Sequence, residues 1–387
     1  MKNVTNTTTN SIEARIIAHS DNLQKNITLK TIALVFIIAL LGLATGLHAQ
    51  SGLEDKIVAY QETSNIRTVS FTRDLPKAEK LPGYINSSFK EVGPLVSPDG
   101  NTLFFSRQNY PDNTGGVLDN EDIWFSTYNV ITNSWSKPEK MDAPINNMGP
   151  NSVNFVSVTG DTILLNNEYK KNGKMRSGMS MSVRQGGQWS FPVAVQNEGR
   201  LNMSDRFNMF MSYNKQVVLT SQDMGDGYGE RDIYVTLFHA DGSQEIINLG
   251  AQVNSEADEA SPFLAPDYKT LYFASKGHNG FGGYDIYVSH RLDETWQHWS
   301  EPENLGTVVN TADDEEFFNF TFDGQYAYFS RATSDTNSDI YRVSLASLYR
   351  RSARQQANSL AESGLQDMNM KDIDASLDGG RYANLDE

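Results

Sequence analysis

The sequence predicts an all-β protein, a five-bladed β-propeller of four-stranded antiparallel blades, and three observations carry that expectation. The first is a recurring tripeptide. Asp122-Ile123-Trp124, Asp232-Ile233-Tyr234, Asp285-Ile286-Tyr287 and Asp339-Ile340-Tyr341 are separated by 110, 53 and 54 residues, and a degenerate copy, Gly178-Met179-Ser180-Met181, lies midway in the double gap. A repeat of that length indicates a propeller or solenoid. The second observation is a connector asparagine that occurs five times, as Asn86, Asn146, Asn202, Asn254 and Asn310. The third is a mismatch at the ends: the first connector has no three strands of its own before it, and the last repeat lacks a Trp-Ser-x-Pro outer strand. One blade divided between the chain ends closes a propeller, here by pairing an N-terminal strand with the C-terminal blade. Closure also removes exposed sheet edges.

Residues 1–49 read as a signal peptide. Lys25 and Lys30 precede the apolar run of residues 31–43, and Ala49 supplies a small residue for cleavage. Retention as a membrane anchor is the alternative, because residues 31–49 approach the length of a spanning helix. The propeller is assigned to residues 50–345. Its fourth repeat is the clearest: an innermost strand at residues 261–265, the turn Pro266-Asp267-Tyr268-Lys269, a second strand at Thr270–Ser275, a glycine-rich loop, a third strand at Asp285–His290, and an outer strand containing Trp299-Ser300-Glu301-Pro302. The first repeat matches it with Ser97-Pro98-Asp99-Gly100, Leu103-Phe104-Phe105 and Trp135-Ser136-Lys137-Pro138. Residues 346–387 form a C-terminal tail, expected as a short helix and then disorder.

Composition bounds the function. A chain of 387 residues with 39% hydrophobic and 11% aromatic content buries a substantial core. It has no cysteine, which excludes disulfides, thiolate metal sites and a cysteine nucleophile. The formal charge is −16, so neither nucleic acid nor an anionic membrane is an expected partner through bulk charge. Cations, basic protein surfaces and neutral glycans fit better.

The pattern Ser-Pro-Asp-Gly-x-Thr-Leu-x-Phe-Ser, then Asp-Ile-Tyr, then Trp-Ser-x-Pro-x-Asn-Leu-Gly resembles the WD-like propeller repeat of bacterial envelope proteins. It is similar to the propeller half of the Tol-system periplasmic protein, and more closely to Bacteroidetes envelope proteins in which such a propeller precedes a peptidoglycan-binding domain, including a component of type IX secretion and gliding. The likeness covers roughly residues 60–345 and rests on turn and packing positions. It implies an exported protein of the periplasm, associated with the outer membrane, that binds envelope or outer-membrane proteins, with glycans as a further partner class. Residues after 350 are too few for the peptidoglycan-binding domain, so wall anchoring is not carried over.

In an antiparallel meander the connectors into each innermost strand and the loops between second and third strands lie at one end. The channel-mouth candidates there are Asp258, Glu259, Asp313, Asp314, Glu315 and Glu316, and the loop candidates are Asp226, Tyr228, His278, Phe281 and Tyr284. Clustered carboxylates suit a hard cation such as Ca²⁺, to which Asp223-Met224-Gly225-Asp226-Gly227 is a partial match; the metal set stays open and no other cofactor is expected. No residue is assigned a catalytic role. The principal expectation is a non-catalytic scaffold, and the alternative is a glycan-binding or glycoside-hydrolysing propeller using rim carboxylates such as Asp258, Glu259, Asp314 and Glu315.

Overall fold

The computed structural model describes residues 77–195, 208–321 and 324–348. The chain divides into two compact units, Met1–Arg73 and Asp74–Glu387, and all described residues belong to the second. The signal-peptide assignment, the connector Asn202 and the tail beyond residue 348 lie outside the described residues.

The described residues are predominantly β, in a succession of antiparallel meanders. Meander 1 runs through Lys90–Val96, Thr102–Gln108 and Asp122–Asn129; meander 2 through Val153–Val156, Thr162–Tyr169 and Met175–Gln185. Meander 3 comprises Asn208–Met211, Val217–Gln222, Asp232–Phe238 and Gln244–Asn248, and meander 4 Glu259–Leu264, Thr270–Ser275, Asp285–His290 and Glu303–Asn304. Meander 5 contains Asp314–Phe320, Tyr326–Ser334 and Asn337–Ser344, and its outer strand is Glu79–Lys80, with Glu79 opposite Arg342 and Lys80 opposite Tyr341. Four sheets result, because a parallel pair, Lys90 and Ser338, joins meanders 1 and 5.

The second and third strands of meander 4 fall at Thr270–Ser275 and Asp285–His290 as expected, but its innermost strand begins at Glu259 rather than residue 261. The outer strand differs more. Proline has no N–H to donate. In meander 1 the outer strand therefore splits into Ser134–Trp135 and Glu139–Lys140 around Pro138, and in meander 2 into Gln188–Trp189 and Val193–Ala194 around Pro192. The serine between the halves substitutes for the ladder. Thr127 N–H donates to Ser136 Oγ at 3.0 Å and Ser126 Oγ donates to the Ser136 carbonyl at 2.7 Å. Ser182 with Ser190 and Ser289 with Ser300 repeat the arrangement.

The connector asparagine clasps the isoleucine of the recurring tripeptide. Asn254 Oδ1 accepts from Ile233 N–H at 2.7 Å while its amide donates to the Ile233 carbonyl at 3.0 Å; Asn146 grips Ile123 and Asn310 grips Ile286 in the same way. Asn86 makes these bonds to Ile340, at 2.8 and 3.0 Å, across 254 residues of sequence. The core follows the same order. Apolar clusters lie between meanders 1 and 2, 2 and 3, 3 and 4, and 4 and 5, and Leu81, Ile85, Tyr328 and Ile340 form another with Leu103, Phe105 and Trp124 of meander 1. Middle strands such as Val217–Gln222 are buried along their whole length, the polar Thr220, Ser221 and Gln222 included. Residues 345–348 turn into a helix that adds Leu345 and Leu348 to this core.

Candidate functional site

The acidic runs extend into the innermost strands, which begin at Glu259 and Asp314, and period-two alternation divides the carboxylates there. Glu259 and Glu315, expected at the channel mouth, are fully buried within the sheet, as is Glu91 at the equivalent place in meander 1. This corrects their assignment: each carboxylate closes its own connector turn. Glu259 accepts from Ser255 N–H at 2.9 Å and from the hydroxyls of Ser255 and Ser275 at 2.6 and 2.7 Å. Glu315 accepts from Thr311 N–H and hydroxyl, and Glu91 from those of Ser87. Arg331 stands 2.6 Å from Glu315 and Arg107 3.1 Å from Glu91, whereas Ser275 occupies that place beside Glu259. Burial raises all three carboxyls against the bonds that lower them, Glu259 to about 7.

The flanking positions face inward. Lys90, Asp314 and Glu316 line a cavity of about 440 Å³ whose wall draws on the innermost strand of every meander. These strands carry bulges, at Gly93, Ser261 and Phe317, with φ of 59°, 49° and 61°. Positive φ at Phe317 is a costly backbone state for a bulky side chain, and such states gather where a wall must be shaped.

The residue before the Asp of each recurring tripeptide also lines the cavity: Glu121, Arg231, Tyr284 and Ser338. The Asp itself stays inside its sheet and ties down the preceding loop, as Asp122 does through Thr114 and Asp232 through Tyr228 and Gly229. Arg231 lies 3.3 Å from Asp258, Tyr284 hydroxyl donates to Asp258 at 2.9 Å, and Arg231 donates to the same hydroxyl. Asp258 is therefore buried in a three-residue network, and Asp314 accepts from Tyr284 N–H at 2.8 Å. Lys276 sits over the Tyr284 ring at 4.2 Å. Burial pushes Tyr284 upward against the opposing Arg231 charge. It also lifts Glu316 to about 7 despite Arg231, Lys276 and Lys90 nearby, and Glu121 to about 7 beside Asp119.

Asp313 remains on the connector, where its N–H donates to Thr311 hydroxyl at 3.2 Å, and it does not line the cavity. Asp226 is exposed and accepts from Tyr234 hydroxyl at 3.3 Å; His278 is held by the Val253 carbonyl at 3.0 Å and packs on Phe273 and Tyr287. Tyr228 and Phe281, each four residues before its tripeptide Asp, are 52% and 51% exposed. Leu118 occupies that offset in meander 1 and is 89% exposed, a residue that the sequence reading passed over. The loops that raise these tips need glycine. A Cβ at Gly229 would lie 2.2 Å from the Ala257 carbonyl oxygen, and one at Gly282 2.4 Å from the Ala312 carbonyl carbon. Among the described residues no group of three or more His, Asp or Glu side chains is arranged to hold a metal ion.

No family model and no curated protein matches the chain. Solved structures do. A luciferin-regenerating enzyme aligns at 12% identity and a TM-score of 0.40, covering 70% of this chain and 95% of its own. An α-L-arabinofuranosidase from Lactobacillus brevis aligns at 11% identity and 0.41, covering 69% and 94%. The β-propeller domain of a Trilobed protease from Pyrococcus furiosus aligns at 12% and 0.29, covering 65% and 68%.

Proposed function

We propose that the described residues form a closed five-bladed β-propeller, each meander one blade, which acts as a non-catalytic binding scaffold in a bacterial envelope. The hold of Asn86 on Ile340, identical to the hold of each described connector on its own blade, supports the closure. The observation that carries the binding role is the shared exposure of Leu118, Tyr228 and Phe281 at one repeat position. Apolar side chains raised on loops tied to a rigid framework form a preorganised contact surface. Export, outer-membrane association and a place in type IX secretion or gliding follow the resemblance of the repeat. The test is crosslinked affinity recovery from native envelopes with the wild-type chain and a Leu118→Ser, Tyr228→Ser, Phe281→Ser variant. Outer-membrane proteins recovered by the wild type and lost by the folded variant support the reading; identical recovery refutes it.

A second reading, glycoside hydrolysis, is favoured by Glu121 and Glu316, two carboxyls raised to about 7 in one cavity. It predicts turnover of glycan substrates that Glu316→Gln abolishes.

A further inference from the structure

The cavity has a polar side that neither docking nor hydrolysis explains. Lys90, on the innermost strand of meander 1, and Lys276, just after the second strand of meander 4, both line it. Among the described residues neither ammonium has a carboxylate within ion-pair distance, and Lys276 rests instead on the Tyr284 ring. Arg231, between them in charge terms, is already engaged by Asp258 and Tyr284. The same cavity is also lined by apolar residues, among them Leu95, Phe210, Pro262, Phe263 and Phe318. Cations and aromatic side chains lining one cavity match a molecule with a negative head and an apolar body, and the volume of about 440 Å³ falls in the range of small-ligand pockets.

We infer that this cavity is a binding site for a small organic carboxylate, its acid group held by Lys90 and Lys276 and its body against Phe210 and Phe263. The site goes beyond the docking role and does not depend on it. Glu316 is the built-in competitor. It shares the cavity with both lysines, and the charged groups acting on it are Arg231, Lys276 and Lys90, which favour its ionised form, and Asp314, which opposes it. A bound carboxylate therefore favours the protonated form of Glu316. Affinity should rise as pH falls through about 7, where that group takes up its proton. The chain as a whole carries −16, so attraction of an anion here comes from the local lysines rather than from bulk charge.

Titration calorimetry of the full chain with 3-phenylpropanoate, and with the neutral 3-phenylpropanamide beside it, tests the site. The carboxylate should bind about tenfold more tightly than the amide, the worth of hydrogen bonds to a charged partner. Lys276→Met should erase that difference. Glu316→Gln should bind the carboxylate more tightly than the wild type at about pH 8, a gain that a damaged fold cannot produce, and with a weaker pH dependence, Glu121 being left as the other carboxyl raised to about 7 in the cavity. Equal affinity for acid and amide, no binding of either by wild type and Glu316→Gln, or an unaltered pH profile in Glu316→Gln would overturn the proposal.

Discussion

Meanders 4 and 5 bury the same glutamate on the same turn and balance it differently. Glu315 has Arg331 at 2.6 Å; Glu259 has only hydroxyl and amide donors. The turn needs a side-chain oxygen to accept its backbone N–H, and the counter-charge is an addition on which it does not depend. Meander 2 makes the point from the other side, since Asn151 there takes the bond from the Asn147 N–H with no charge at all.

The sharpest way to break this comparison is to substitute both glutamates identically. Glu315→Gln strands the Arg331 guanidinium and should cost about 3–5 kcal/mol in denaturant unfolding, as expected when one member of a buried pair is removed. Glu259→Gln strands no charge, since no cation is paired with Glu259 among the described residues. A carboxyl raised from 4.5 to about 7 by folding adds stability that is present below the unfolded value and lost as pH rises through 7, a change on the order of 3 kcal/mol. The Glu259→Gln protein should therefore show a flatter pH dependence of stability and equal or exceed the wild type at about pH 8. A large loss there would mean that Glu259 is held ionised and that the two meanders are equivalent after all.

The asparagine clasp allows a second comparison, between the chain ends and the chain interior. Asn86→Ala and Asn254→Ala each orphan buried backbone groups of an isoleucine and should cost about 1–3 kcal/mol alike. A much smaller loss for Asn86→Ala would show that the contact between the ends adds little, and would count against a closed ring. A comparable effect is expected from Gly282→Ala, about 1–3 kcal/mol with the loop free to shift, because the new methyl meets the Ala312 backbone. The smallest is Asp267→Ala in an exposed turn, about 0.5–1 kcal/mol, through the lost bonds to Thr270 and Lys269.

Much of the architecture was legible because the recurring tripeptide marks third strands that are buried on both faces and begin with a loop-tying Asp. The site was harder to read. Glu256-Ala257-Asp258-Glu259 looks like a solvated acidic run until the strand is known to begin at Glu259, and only then does alternation send Glu259 inward and Asp258 towards Arg231 and Tyr284. Lys90, Lys276, Glu121 and Arg231 were missed for the same reason. The signal that would have found two of them is the variable residue directly before each invariant Asp: Glu121, Arg231, Tyr284 and Ser338. What repeats builds the sheet, and what varies beside it lines the cavity.

The proline-split outer strands have a consequence for behaviour in a crowded solution. An uninterrupted sheet border offers a row of unpaired amides on which a neighbouring chain can lengthen the sheet and begin a fibril. In meanders 1 and 2 that border is cut into dipeptides by Pro138 and Pro192, and in meander 4 the regular outer strand is only Glu303–Asn304. A tandem array of similar sheets is prone to pairing with copies of itself, and in these three meanders the rim is too short to serve as a template, whereas meander 3 keeps an unbroken outer strand at Gln244–Asn248.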